Sequence, residues 1–531
     1  MTLRFLLKAE CSFKLQFQEY IKKIFAYFAI PCVFSQRRQN NQRRKMNAYY
    51  LKMADANLPD LKTIRVTPDV PETVLGVGDE IVIDLGNHYV GYFSFRMWYV
   101  DEYIDAPVTL DVRFCETAAE LDTDFTVYSG WLCQSWLQED VIKVDFPGEY
   151  KMPRRYAARY VKIKVVHTPK KLSLSEFVFD SVSAVDIANV DSLKIDDQEL
   201  IAIDRVAVNT LKNCMQRVFE DGPKRDRRLW IGDLRLEALA NYETFRDTSL
   251  IKRCLYLFAA ADRNDLGFLP GFVYENPVFF SGSWFIVDYS MMYVNSLCDY
   301  YNNSGDLVTW RDLYPVARSL MDAAHSRIDS DGLLSVPDGD IFIDWCEGLE
   351  KNTSLTGVYA YTLENLSNTL AALGNPDEEE FRNRLDDLRK SARKFLFDEE
   401  KCAFINSKDS YQHSVHSTAW MVLGGVADGE CAKRVMLDVL KSDTSLKPFT
   451  PYMHHYAVEA LFKAGLFDEA EKYIRRIWGG MLALGADTFF EAYVPGDPDF
   501  SPYDDKKVNS MCHAWSCTPT YFIRKYGLGT C

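Results

Sequence analysis

Positive charge is in short supply in this chain, where 61 Lys and Arg stand against 76 Asp and Glu and the formal charge is −15 over 531 residues. Nucleic acid is bound by clustered cations, so the balance disfavours a polyanionic partner and suits a neutral or cationic small molecule. The 13 cysteines run from Cys11 to Cys531 without one Cys-x-x-Cys pair. That argues against a disulfide framework and a zinc site, and leaves reduced, mostly buried thiols of the kind kept in a reducing interior. No apolar run reaches the roughly 18 to 20 residues of a membrane-spanning helix. Glycine and proline number only 27 and 20, too few for a fibrous repeat or a disordered chain. A phosphate-cradling glycine loop, a nucleophile elbow and a dinucleotide fingerprint are all missing, so nucleotide-dependent and serine-hydrolase chemistry is disfavoured and no cofactor is expected.

Apolar and aromatic residues are plentiful instead, with 47% hydrophobic residues and 30 Tyr, 33 Phe and 10 Trp. The length supports two domains, one of them large. Residues 1–60 read as an N-terminal extension, either disordered or targeting. Ile24 to Phe34 has the length of a signal-peptide core, but no small-x-small cleavage pattern follows, and Gln36 to Lys45 is basic and rich in Gln and Asn. Over 61–190 the pattern has period two, as in Ile81, Ile83 and Leu85, then Val108, Leu110, Val112 and Phe114, then Val161, Ile163 and Val165. With turn signals at Gly78-Asp79, Gly86-Asn87 and Pro147-Gly148 this predicts a jelly-roll-like β-sandwich. From Leu200, Ile203 and Val206 onward the period is that of a helix. About twelve helices joined by short turns over 191–531 fit six antiparallel hairpins closed into an (α/α)6 toroid. The fold class is therefore a multidomain β plus all-α chain, the sandwich first and the toroid second.

Long loops over a rigid ring are where a site is built. The segment Glu220-Asp-Gly-Pro-Lys-Arg-Asp-Arg-Arg-Leu-Trp-Ile-Gly-Asp233 crowds acids, guanidiniums and an indole between two helices. It reads either as a solvated turn whose Asp233 caps the next helix, or as a site in which an Arg lowers one carboxylate pKa and burial raises another. Composition alone does not choose between the two. Glu491 follows two phenylalanines in a second acidic-aromatic loop, Gly485 to Met511, and Asp344-Trp345 joins an acid to an indole in a third. Each has an ordinary alternative, a solvated Glu and a helix cap before a core Trp. His413 and His416 lack a visible third ligand, so no metal is expected, and His454-His455 reads as helix-start polarity.

The strings DGPKRDRRLWIGD, WFIVDY, IDW, WGGMLALGADTFFE and CHAWSCTP, in this order, resemble the catalytic domain of the α-L-rhamnosidases, glycoside hydrolase family 78. The preceding sandwich resembles the accessory domain of those enzymes. The resemblance implies an inverting exo-hydrolase of terminal α-L-rhamnose, with a carbohydrate as its partner. Carried over position by position, it implies Asp226 as general acid and Glu491 as general base. Asp221, Arg225, Trp230, Asp233, Trp284, Asp344, Trp345, His513 and Trp515 fall on sugar-binding positions; with these roles Trp230 and Trp345 would raise the acid's pKa, and Arg225 would suit an ionised Asp221. Asp226 stands where the family usually has Glu, and a one-residue deletion before Trp230 would place Arg227 there instead. The resemblance therefore also allows a sugar-binding protein that has lost hydrolysis, or a six-hairpin glycosidase for another sugar.

Overall fold

The computed structural model describes residues 36–103 and 105–530; the signal-like stretch Ile24 to Phe34 lies outside them. Part of the expected extension is helical, over Gln36–Asp55, and the last turns of that helix belong to the fold, since Tyr50 and Ala54 are buried in the main helical core. From Tyr50 onward the chain forms one compact unit.

The sheet region comprises β1 (Lys62–Val66), β2 (Thr73–Leu75), β3 (Glu80–Tyr99), β4 (Val108–Cys115), β5 (Glu139–Val144), β6 (Gly148–Lys151), β7 (Tyr156–His167) and β8 (Leu172–Ser183), hydrogen-bonded in the order β1-β8-β3-β7-β4-β5. The long β3 holds it together. Its first half pairs with β7 and its second with β8 and β6, with register shifts at Asp84/Tyr89 and Ser94/Arg96. The alternation seen in the sequence is the inward face: Ile83, Leu85, Leu110, Val112, Phe114, Ile163 and Val165 are all buried in one cluster with Phe93 and Phe95.

After the sheet region, helices follow from Gln198 to Tyr526. Ile231–Glu243, Val287–Ser304, Asn352–Ala372, Val415–Leu423 and Pro451–Lys463 each pack on the next, and the turn at Ala514–Cys517 closes the ring back onto Ile231–Glu243. These inner helices are buried on almost every side, as Val415–Leu423 is throughout, because they face both the ring's centre and the outer layer. Outer helices carry a stripe instead, as in Glu378–Leu396, where only Phe381, Leu385, Leu388, Ala392 and Leu396 are buried. Two inner helices cross closely at Gly357, where a Cβ would lie 2.7 Å from the Trp420 carbonyl carbon. Burial from both sides also accounts for His454 and His455. Instead of marking an exposed helix start, His454 is buried against the Tyr473 hydroxyl and His455 against Phe522. Among the described residues no helix is long and apolar enough to cross a membrane.

The β4–β5 loop, residues 116–138, leaves the sandwich and seats on the helical domain, where Phe125 and Leu137 pack with Tyr503 and Val508.

Candidate active site

At one end of the ring a hollow holds about 370 Å³ of empty space, lined by Asp221, Arg225, Asp226, Trp230, Asp233, Trp284, Ile286, Tyr289, Phe342, Trp345, Glu491, Tyr503, His513 and Trp515.

The first loop is closed by Asp221, whose amide donates to the Arg228 carbonyl at 3.0 Å and whose Oδ1 accepts from the Arg228 amide at 3.0 Å. Within it Asp226 and Arg227 both take positive φ, 65° and 54°, a conformation costly for residues with a Cβ and held by the surroundings. The turn sends the two side chains opposite ways. Asp226 lines the hollow, whereas Arg227 donates to the Pro223 and Arg155 carbonyls, on the sandwich side. Trp230 is then fixed by pairing with Phe272 in a short sheet. Gly232 follows because a Cβ there would lie 2.5 Å from the Tyr289 ring.

Glu491 comes from the 485–511 loop. Its amide donates to the Ser510 carbonyl at 2.9 Å, and its Oε2 accepts from the Ser510 amide at 2.9 Å. Its Oε1 accepts from the Tyr503 hydroxyl at 2.5 Å and from Arg225 Nη2. Burial would raise this carboxyl, but Arg225 and the Ser510 N–H outweigh it and hold Glu491 below the ordinary glutamate range. Nη1 of the same guanidinium is 3.5 Å from Asp226 Oδ1. One planar group thus touches both carboxyls, which keeps their nearest oxygens within about 8 Å of each other. Glu491 is the deeper, its side chain 2% exposed against 15% for Asp226.

The pairing of Arg225 differs from the one expected. It serves Glu491, not Asp221, and Asp221 is pushed well above the carboxylate range by burial and by Asp226 and Asp233. Burial does the same to Asp233, with Glu491 and Asp226 adding to it. His513 is driven down to about 3 by burial and is neutral at physiological pH. Trp230 Nε1 is buried without a hydrogen-bond partner, and Asp233 Oδ1 and His513 Nδ1 face each other at 3.6 Å, too long for a hydrogen bond, although all three residues line the hollow. Buried polar atoms are rarely left unpaired, so this trio is suited to a ligand bearing several hydroxyls.

Asp344 is the one expected binding residue that does not line the hollow. It accepts from the Phe449 and Thr450 amides at 2.8 and 3.1 Å, from the Thr450 hydroxyl at 2.7 Å, and from His416 Nε2 at 2.7 Å. Its work is to fasten the start of Pro451–Lys463 to the loop that presents Trp345. Burial opposes its ionisation, yet those donors keep it below its ordinary range. His416 is thereby spoken for, His413 Nδ1 bonds the Phe404 carbonyl, and among the described residues no cluster could hold a metal. Tyr503, Tyr289, Ile286 and Phe342 line the hollow without having been singled out beforehand. For Tyr503 the only signal was its place in the acidic-aromatic loop.

Carboxyls lining a polar-aromatic hollow in a helical ring, Glu491 buried and Asp226 more exposed, are an arrangement that glycoside hydrolases use. Comparison with known proteins narrows the class. Residues 56–184 match the glycosyl hydrolase family 78 α-rhamnosidase N-terminal domain, and residues 188–526 the bacterial α-L-rhamnosidase six-hairpin glycosidase domain. A rhamnosidase from Klebsiella oxytoca solved with rhamnose bound is 36% identical, with 91% of this chain and 99% of that one covered and a TM-score of 0.86. A family 78 rhamnosidase of Bacillus sp. GL1 is 26% identical, covering 86% of this chain and 47% of that one at a TM-score of 0.73. No curated protein sequence matches. The chain belongs to glycoside hydrolase family 78, the α-L-rhamnosidases.

Proposed function

We propose that the chain is an exo-acting, inverting hydrolase of terminal α-L-rhamnosides in which Asp226 is the general acid and Glu491 the general base. Asp226 protonates the glycosidic oxygen as the C1–O bond breaks. Glu491 takes a proton from a water molecule whose oxygen bonds to C1 from the opposite face, so the product leaves with inverted configuration and each carboxyl then returns to its starting state by exchange with solvent. The observation that carries this reading is the single Arg225 guanidinium in contact with both carboxyls across the hollow. The resulting upper limit of about 8 Å overlaps the 6.5 to 9.5 Å separation that leaves room for a water. The depth order supports the roles, since a base at the floor meets an enclosed water and an acid near the mouth meets the leaving group. The polar atoms of Asp233, His513 and Trp230 supply hydroxyl recognition, and a hollow walled by the buried Tyr289, Phe342 and Trp515 favours a chain-end sugar.

The orientation of Arg227 away from the hollow favours Asp226 as the acid over the reading that deprives the chain of one. Proton NMR of the first sugar released from an aryl α-L-rhamnoside should show the β-anomer, and an α-anomer would refute inversion. Glu491→Gln should lose at least about 10³-fold in kcat. Asp226→Asn should be rescued in part by an activated leaving group, and equal losses on good and poor leaving groups would remove Asp226 from the acid's role.

A further inference from the structure

The loop at 116–138 leaves a large ring on the surface: Trp131 is 65% exposed, near Val127, also 65% exposed. An indole so open to water is normally free to swing, but this one is pinned. Its amide donates to the Tyr503 carbonyl at 3.2 Å, its indole N–H to the Pro502 carbonyl at 3.2 Å, and the neighbouring Ser129 amide to Asp505 Oδ2 at 3.0 Å. The Trp131 ring lies 5.5 Å from that of Tyr503, which lies 5.4 Å from that of Trp345. Tyr503 and Trp345 both line the hollow, so Trp131 continues their aromatic wall outward.

The helical domain builds a second rim. Arg228 Nη1 is 3.8 Å from Asp226 Oδ2, and the guanidinium lies over the Tyr274 ring at 4.8 Å. Phe280, 60% exposed, is 6.2 Å from Tyr274. Asp226 therefore stands between Arg225, which leads to Tyr503 and Trp131, and Arg228, which leads to Tyr274 and Phe280. A leaving oxygen must come within hydrogen-bond reach of its acid, so the group it carries emerges between these rims. Aromatic surface that is already immobilised binds with little further loss of entropy.

We propose that Trp131, supplied by the sandwich, forms with Phe280 the subsite for the leaving group, and that it recognises a flat ring with an apolar face. This rests on the assignment of Asp226 as the acid. Two kinds of leaving group present such a face, an aryl aglycone and the C–H side of a second sugar.

The test measures kcat/KM of the full chain, Trp131→Ala and Trp131→Phe on α-L-rhamnosyl fluoride, 4-methylumbelliferyl α-L-rhamnoside and a rhamnosyl-glucose disaccharide. The fluoride has no ring to stack and should be cleaved equally well by all three proteins. On a ring-bearing substrate Trp131→Ala should lose about tenfold and Trp131→Phe less. A loss confined to the umbelliferyl compound identifies an aryl aglycone, and one confined to the disaccharide a sugar. Equal loss on the fluoride, or none on either ring-bearing substrate, overturns the subsite while leaving the hydrolase reading intact. Wild-type protein inert to all three overturns that reading and the subsite with it.

Discussion

Replacing Arg225 by Met removes the one cation that faces Glu491 from within the hollow. In the native protein Arg225 donates to Glu491, to the Tyr503 hydroxyl at 2.9 Å and to the Val508 carbonyl at 3.2 Å, all of it buried. Burial is the largest influence on Glu491, and without the guanidinium the His513 ring, 3.7 Å away, the Ser510 amide and the Tyr503 hydroxyl are left to oppose it. An opposite charge at this range lowers a carboxyl by roughly 1 to 3 pH units, so its loss should carry Glu491 from below its ordinary range to above it. A base must be ionised to act, and the acid limb of kcat/KM against pH for an aryl rhamnoside should move up by about that amount. Breaking a buried pair costs about 3 to 5 kcal/mol where the remaining partner stays charged. The sign follows from linkage. Wild-type Glu491, depressed in the folded state, contributes stability that is present above its unfolded pKa and lost as pH falls. In the variant the raised carboxyl loses stability as pH rises. The gap in thermal midpoint between the two proteins should therefore widen from pH 4 to pH 8. An acid limb that stays in place, with a gap independent of pH, would refute the reasoning.

Two further predictions concern the frame around the site. Glu237, one turn beyond Asp233, is fully buried, has no partner for either oxygen, and is raised well above its ordinary range by burial and by Asp233 and Asp221. A raised carboxyl favours the fold below its unfolded pKa and ceases to as pH climbs, so Glu237→Gln should raise the thermal midpoint at pH 8 and leave it unchanged at pH 4; a rise of the same size at both would contradict this. Gly357→Ala drives a methyl against the Trp420 backbone and should destabilise by about 1 to 3 kcal/mol, read as a lower melting temperature, with wild-type stability counting against the close crossing.

Much of this architecture could be read from residue patterns because burial on one side leaves a period. Ile83 and Leu85 alternate with exposed neighbours, and Phe381, Leu385 and Leu388 recur along one stripe. Inner helices leave no such trace, which is why His454 and His455 look like surface polarity and lie in the core. Within the site, Asp226, Trp230, Asp233 and Glu491 were accessible through the wording of their loops. Tyr503 was not, because its role comes from a hydroxyl that meets Glu491 across a fold of the same loop. Asp344 misled for a related reason: adjacency to Trp345 in the chain suggested a shared ligand, whereas consecutive side chains point apart and its own faces Thr450 and His416.

Lys224, inside the loop that carries Asp226, is buried and donates to Glu120 Oε1 at 2.6 Å, with Glu116 Oε2 at 3.7 Å. Both acids come from the sandwich. Glu116 reaches on to His88 at 3.1 Å and to the Met511 amide at 2.7 Å. A gene fragment encoding the helices alone would therefore yield a ring whose acid-bearing loop hides a cation with its counter-ions missing. Exchange of the sandwich between relatives would succeed only where those two acids travel with it, so this accessory module carries the counter-charges that the Asp226 loop needs in order to fold.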